Sequence, residues 1–377
     1  MKEIRMVDLK GQYEKIKDEV DAAVVSVMES SAFINGPEVS AFQKELEAYL
    51  GVKHVIPCAN GTDALQISLM ALGLEKGDEV ITSDFTFAAT VEVIALLGLK
   101  QVLVDVDRDT MVMDVKALEK AITPRTKAII PVHLFGQCAD MEPIMEIARK
   151  YNLAVVEDTA QAIGAEYTFS DGTVKKAGTI GTLGATSFFP SKNLGCYGDG
   201  GAIFTNDDDL AHRVRGIVNH GMYRRYYHDE IGVNSRLDSI QAAILRIKLR
   251  RLDLYNDARR AAAAMYDEAF AGCAHVKTPA VAPHSRHVFH QYTLQLAEGT
   301  DRDALIAHLN SKGIPAMIYY PVPLRKQKAY DTHDYDDSAY PNTDFLVRSV
   351  LSLPMHTELD REQVDYISGA VKEFFSK

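Results

Sequence analysis

Seven short apolar runs recur through the first two thirds of the chain, and they limit the possible folds more than any other feature. They are HVIPCA from His54, EVITS from Glu79, QVLVDVD from Gln101, KAIIPVHLF from Lys127, LAVVEDTA from Leu153, ATSFFPSK from Ala185 and GAIFTND from Gly201. Most are near-continuous rather than alternating, which is the pattern of strands covered on both faces. Helical periodicities with end signals lie between the early runs. Leu65, Leu69 and Leu72 repeat at i, i+4 and i+7, and Gly73 follows them. Strand–helix alternation of this kind predicts an α/β fold on a mainly parallel sheet.

The texture changes from about Leu237. A helical stretch from Ser239 to Phe270 leads into HQYTLQL, DRDALIAHLNSKG and IPAMIYYPVP, which read together as a small α+β unit. A boundary within that stretch gives a large domain over residues 1–250 and a small C-terminal domain over 251–377. The acidic run DTHDYDDSAY from Asp331 reads as a solvated loop.

Composition narrows the partners. With 377 residues, 47% of them hydrophobic, the chain can bury a large core, and its net charge of −11 opposes nucleic-acid or anionic-membrane binding. No stretch reaches transmembrane length and the first twenty residues hold no apolar signal core. Cys58, Cys138, Cys196 and Cys273 are far apart, so free thiols in a reducing cytoplasm are expected.

Chemistry concentrates in a few segments. In ATSFFPSKNLGCYGDGG, Lys192 follows an apolar strand and precedes a glycine-rich turn. Most lysines are solvated surface charges, but this setting is poorly suited to one. A neutral lysine amine condenses with carbonyl compounds, which requires a depressed pKa. In LAVVEDTAQAIGA, Asp158 ends a buried strand, where open α/β sheets bind ligands. It is either a helix cap or a carboxylate that keeps a cofactor's ring nitrogen protonated, with Gln161 following it. The turn Asn60-Gly61-Thr62 joins a strand to a helix, and is either an ordinary capped start or a phosphate cup. Phe85 and Phe87 in TSDFTFAAT are candidates for stacking on an aromatic cofactor or for core packing. Asn234 and Arg236 precede a long helix, as a capping loop or as an anion clamp. His284, His287 and His290 have spacing that fits a metal site on a helix, but they precede a strand-like run.

Together these segments resemble the DegT/DnrJ/EryC1/StrS family of sugar-nucleotide aminotransferases. GPEVSAFQKELEAYLG, ANGTDAL, EDTAQAIGA, SFFPSKNLGCYGDGGAIFTND, GVNSRLDSIQAAIL, YYPVPL and SLPMH occur in the family's order over nearly the whole chain. The resemblance implies a fold-type I enzyme dependent on pyridoxal 5'-phosphate. It also implies a homodimer with shared active sites. Carried over residue by residue, Lys192 holds the cofactor covalently and shuttles a proton, and Asp158 faces the ring nitrogen. Gln161 lies near the ring's phenolic oxygen, and Phe87 stands where relatives often place Trp or Tyr. Gly61, Thr62 and Ser187 match phosphate ligands, and Asn234 matches one reaching in from the neighbouring subunit. Ser31, Phe33, Ser191, Arg236, Tyr319 and Tyr320 match contacts to the nucleotide-sugar.

The forms NGTDAL and CYGDGGAIFTNDD look most like members that aminate C3 of the sugar. The expected acceptor is a UDP-linked 2-acetamido-3-keto-uronic acid, with glutamate as donor, for surface polysaccharide such as O-antigen. A dTDP-linked 3-keto-6-deoxyhexose is the alternative. The chain departs from those relatives at Tyr319-Tyr320, where they often have His-Tyr, and at Phe33, where they have Tyr. A non-catalytic regulatory relative is a further possibility, against which Lys192, Asp158, Gln161 and Thr62 all stand. A uronate diphosphate needs local cations, and Arg236, Arg224, Arg225 and Lys326 are the candidates; Asp229 and Glu230 are alternative partners for the arginine pair.

Overall fold

All seven apolar runs form strands of a single sheet in the computed structural model, which describes residues 3–376. The strands are β1 (His54–Cys58), β2 (Glu79–Ser83), β3 (Lys100–Val104), β4 (Thr126–Ile130), β5 (Ala154–Asp158), β6 (Leu183–Ser187) and β7 (Gly201–Thr205). Their spatial order is β1-β7-β6-β5-β4-β2-β3. Strand β7 runs antiparallel to both neighbours, while the remaining pairs are parallel. Every residue of β2 and of β7 is buried, as expected where helices cover both faces. One face packs Ile81, Ile129 and Val155 against Ile144 and Leu118. The other packs Val80, Ile130 and Val156 against Leu65 and Leu69 of the helix Gly61–Ala71.

The helical stretch expected from Ser239 to Phe270 is two helices, Ser239–Leu249 and Leu252–Phe270. It breaks at Arg251, which has φ −114° and ψ 0°. The reason lies in the partners. The first helix packs on Lys17–Ser30 and Pro37–Leu50, and the second on the C-terminal helix Arg361–Phe375, so one straight axis cannot serve both. Beyond the break, Val276–Lys277, Tyr292–Leu296 and Val350–Leu353 form an antiparallel sheet. Its core of Tyr266, Tyr292, Leu309, Leu351 and Ile367 is separate from those of the large sheet, although Val288, Leu346 and Val350 pack with the latter.

The acidic run from Asp331 is not simply solvated. Asp337 accepts a hydrogen bond from the buried Arg325, Tyr340 is buried, and the side-chain amide of Gln101 donates to the Tyr335 hydroxyl. The four cysteines are free, and no helix among the described residues is long and apolar enough to cross a membrane.

Candidate active site

The carboxyl ends of β1, β5 and β6 meet at the amino end of the antiparallel β7. Register fixes this: Cys58 pairs with Gly201, Ser187 with the same Gly201, and Asp158 with Ala185. Gly61 opens the helix that follows β1 and lies against Ser187. A Cβ on Gly61 would stand 2.6 Å from the Cβ of Ser187, so no larger residue fits without displacing that strand end. Asn60, rather than Thr62, caps the helix by accepting the Asp63 amide at 2.8 Å. The amides of Gly61 and Thr62 have no intrahelical acceptor and point out of the positive end of an 11-residue helix.

The turn of residues 188–200 between β6 and β7 carries Lys192 and is tied at both ends. Phe188 donates to Gly200 at 2.7 Å, Cys196 donates back to Phe188 at 2.8 Å, and the Lys192 amide donates to Phe189 at 2.8 Å. The amide of Asn193, the next side chain, donates to Asn256 at 2.7 Å and to the Val288 carbonyl at 3.0 Å. Its oxygen faces Nδ1 of His290 at 3.3 Å. Burial pushes the Lys192 amine down to about 8, while the charge of Asp158 opposes the shift. A pKa near 8 leaves roughly a tenth of the amine neutral at pH 7.

Asp158 is itself buried at the end of β5. Oδ1 accepts the Ala160 amide at 3.1 Å, and Oδ2 accepts the Thr90 hydroxyl at 2.9 Å. No helix follows, so the cap expected there is a turn bond, and a further lone pair remains on each oxygen. Burial pushes the carboxyl above its usual range, opposed by those two hydrogen bonds and by Lys192. A cationic N–H placed against it would restore the ionised form.

Gln161 accepts the Phe135 amide at 2.8 Å and donates to the Tyr320 hydroxyl at 3.1 Å. Tyr320 lies 6.2 Å from Phe87 and 6.1 Å from Phe85, centroid to centroid. The two phenylalanines divide the expected roles: Phe85 is 1% exposed and belongs to the core, while Phe87 is 56% exposed. The sequence reading missed a buttress behind Asp158. The buried Glu157 carboxylate accepts the amides of Gly178, Ile180 and Gly181 and faces Nε2 of His133 at 2.9 Å. Since His133 Nδ1 accepts the Ala139 amide, Nε2 carries the proton and donates to Glu157. A glutamate inside an apolar strand was the available signal.

The histidine metal site does not form, and no cluster of metal-ligating side chains occurs among the described residues. His287 accepts the Phe289 amide instead, and burial pushes it down to about 3. Burial, with the charges of Lys192 and Arg259, likewise keeps His290 neutral. Arg224 and Arg225 do not pair with Asp229 or Glu230. Arg213 takes Glu230, and the two arginines lie over the rings of Tyr227 and Tyr226. Lys326 lies 3.4 Å from Asp337. Ser31, Phe33 and Asn234 are exposed, and Ser191, Arg236, Tyr319 and Ser187 are half-buried.

This donor set suits a group with an anionic phosphate, a protonated ring nitrogen and a carbonyl, which is the chemistry of pyridoxal phosphate. Known proteins agree. The DegT/DnrJ/EryC1/StrS aminotransferase family matches residues 14–372. The UDP-2-acetamido-2-deoxy-3-oxo-D-glucuronate aminotransferase of Pseudomonas aeruginosa is 47% identical, over 98% of this chain and 99% of that one. The UDP-N-acetyl-3-dehydro-alpha-D-glucosamine 3-aminotransferase of Acidithiobacillus ferrooxidans is 44% identical, over 98% and 97%. A dTDP-3-amino-3,4,6-trideoxy-alpha-D-glucose transaminase of Streptomyces venezuelae is 40% identical, over 98% and 96%. Among solved structures, a DegT/DnrJ/EryC1/StrS aminotransferase from Brucella abortus superposes with a TM-score of 0.94 at 43% identity, over 99% and 100%. NtdA of Bacillus subtilis, solved with bound cofactor PMP, superposes with 0.88 at 30%, over 96% and 82%. The fold is that of a fold-type I aminotransferase dependent on pyridoxal phosphate. Within that class the chain belongs to the DegT/DnrJ/EryC1/StrS family and is a nucleotide-sugar aminotransferase.

Proposed function

We propose that the enzyme moves an amino group from glutamate to C3 of a UDP-linked 2-acetamido-3-keto-uronic acid, in the cytoplasm, for surface polysaccharide such as O-antigen. The chain-long likeness to the P. aeruginosa enzyme carries the sugar assignment. Bound pyridoxal phosphate supplies the electron sink for the bonds to the reacting carbon. Lys192 Nζ would hold the cofactor's carbonyl group, and its depressed pKa suits it to take up and return a proton at the reacting carbon. Asp158 keeps the ring nitrogen protonated, and Phe87 covers one face of the ring. Gln161 lies by the phenolic oxygen. Gly61, Thr62 and Ser187 hold the phosphate.

In this reading the active sites of a homodimer are shared, with Asn234 closing the phosphate cup of the partner and Arg236 likewise supplied to the partner's site. Asn234 is exposed, and Phe33, Ile34, Phe189 and Ile231 present apolar side chains to solvent, as a face awaiting a second copy would. Mixing Lys192→Ala with Arg236→Ala should regenerate one intact site per heterodimer; inactivity after proven subunit exchange would reject sharing. Ser31, Phe33, Ser191, Arg236, Tyr319 and Tyr320 are assigned to the nucleotide-sugar. Arg236 forms no ion pair within the described chain, whereas Lys326 is already engaged, so Arg236 is the stronger candidate for an anionic group of the substrate. The substrate test compares the uronate with the same UDP sugar bearing a neutral 6-deoxy C6. Loss of a charged hydrogen bond predicts a drop in kcat/KM of about ten- to a hundredfold. Equal turnover would reject the uronate, and preference for a dTDP-linked sugar would favour the alternative acceptor.

A further inference from the structure

Asp84 directly follows β2 and begins the turn that carries Phe85 and Phe87. It spends every acceptor on two consecutive residues of a distant segment. Its carbonyl accepts the Leu324 amide at 3.1 Å, and Oδ1 accepts the Arg325 amide at 2.7 Å. Its Oδ2 pairs with the Arg325 guanidinium. The other guanidinium donors reach Asp337 at 2.9 Å and Asp344 at 2.5 Å, and the Tyr340 ring lies 4.4 Å from its carbon. The Asp84 and Arg325 side chains are 0% and 1% exposed.

A buried ion pair is an inefficient source of stability, because desolvation consumes most of the attraction. What a planar guanidinium does supply is direction, since its donors are fixed in space. Here the fixed point lies five residues beyond Tyr320, and Pro321 and Pro323 stiffen the intervening chain. Tyr320 in turn packs on Phe85 and Phe87, which hang from Asp84 on the other side. Phe85, Phe87 and Tyr320 therefore all refer to one carboxylate.

We propose that Arg325 is a positioning residue for substrate recognition, with the buried Asp84–Arg325 contact setting where Tyr319 and Tyr320 meet the sugar. The inference rests on the assignment of those tyrosines to the sugar. Its test uses holoenzyme, the calorimetric Kd of the UDP-linked 3-amino sugar that wild type produces, and UDP alone as control. A wrong sugar would then appear in the wild type, and a wrong latch in the variants. Asp84→Asn and Arg325→Lys should each weaken sugar-nucleotide binding and raise KM by about tenfold. UDP affinity should stay unchanged, and any loss of cofactor affinity through Phe87 and Gln161 should be clearly smaller than the loss for the sugar. Asp337→Asn, which weakens the outer contact to Arg325 and the neighbouring one to Lys326, should show the same split at a few-fold, and carries the test if the buried variants do not fold. Unchanged sugar binding in folded variants, or equal losses for sugar, UDP and cofactor, would overturn the proposal.

Discussion

Lys192 and Lys248 serve the same turn from opposite sides, and burial pushes both amines down to about 8. Lys248, on the helix Ser239–Leu249, is 1% exposed. It donates to the Gly195 carbonyl at 2.7 Å and lies 4.5 Å from the centre of the Tyr197 ring. Lys192 sits within the turn, half-buried, with the Asp158 carboxylate as the charge that opposes its shift. The two environments desolvate an amine alike but give it different company. One amine is closed in by a carbonyl and an aromatic face, and the other has a carboxylate as its neighbouring charge. A depressed pKa makes a lysine available as a nucleophile only where a carbonyl compound can reach it.

The largest effect expected from this contrast is in turnover. Lys192→Ala should lower kcat by about 10,000-fold or more, ~5.5 kcal/mol of barrier, while Lys248→Met stays within about tenfold of wild type. Comparable losses in the two variants, measured under saturating cofactor, would erase the distinction. Next in size is Asp158→Ala. Removing a buried charged partner costs on the order of 3–5 kcal/mol, or about a thousandfold if it falls on the transition state. Activity within tenfold of wild type would reduce Asp158 to its turn bond with Ala160.

A smaller effect separates the amines by pH. The neutral form of Lys192 is the reactive one, so the rate at which apoenzyme takes up pyridoxal phosphate should rise about tenfold per pH unit below pH 8 and level off above. Because the Asp158 charge raises the Lys192 pKa, Asp158→Asn should move that bend to lower pH, and Lys248→Met should leave it in place. Stopped-flow absorbance reads both. The smallest effect is on stability. Lys248→Met strands the Gly195 carbonyl and should cost about 1–3 kcal/mol in a denaturant melt. Both folded-state values lie below the ordinary lysine value, so the unfolded chain binds more protons between about pH 8 and 10.5. Stability from Lys248 therefore rises with pH across that window. The advantage of wild type over Lys248→Met should widen from pH 8 to 10, and a constant difference would mean that Lys248 does not titrate there.

Local patterns made much of this molecule legible. Seven apolar runs became seven strands because continuous burial leaves a trace in consecutive residues. Lys192 stood out because FFPSKNLG joins a strand to a glycine turn. Features made by distant partners left no such trace. Arg325 reads as an ordinary surface cation, since the chain order gives no hint that Asp84, Asp337 and Asp344 surround it. His133, just beyond β4, pairs with Glu157 of β5, and the neighbourhood of those two strands is known only once the sheet order is known. The helix break at Arg251 was hidden because both halves are equally good helix formers, and only their different packing partners separate them. Lys248 was overlooked for a similar reason: nothing in LRIKLR marks which cation turns inward.

The antiparallel β7 has a bearing on how the protein is made. Its register joins His54 to Thr205, so β1 acquires its sole strand neighbour after about 150 intervening residues have been synthesised. During translation the early strands β2 to β5 can associate as each emerges, while β1 and the helix it feeds wait beside an incomplete sheet. Arrival of β7 closes the largest loop of the sheet and, in the same event, brings Gly61 against Ser187 and sets the Lys192 turn between paired ends. A ribosome-bound chain truncated before Gly201 therefore lacks the strand that pairs with both β1 and the end of β6.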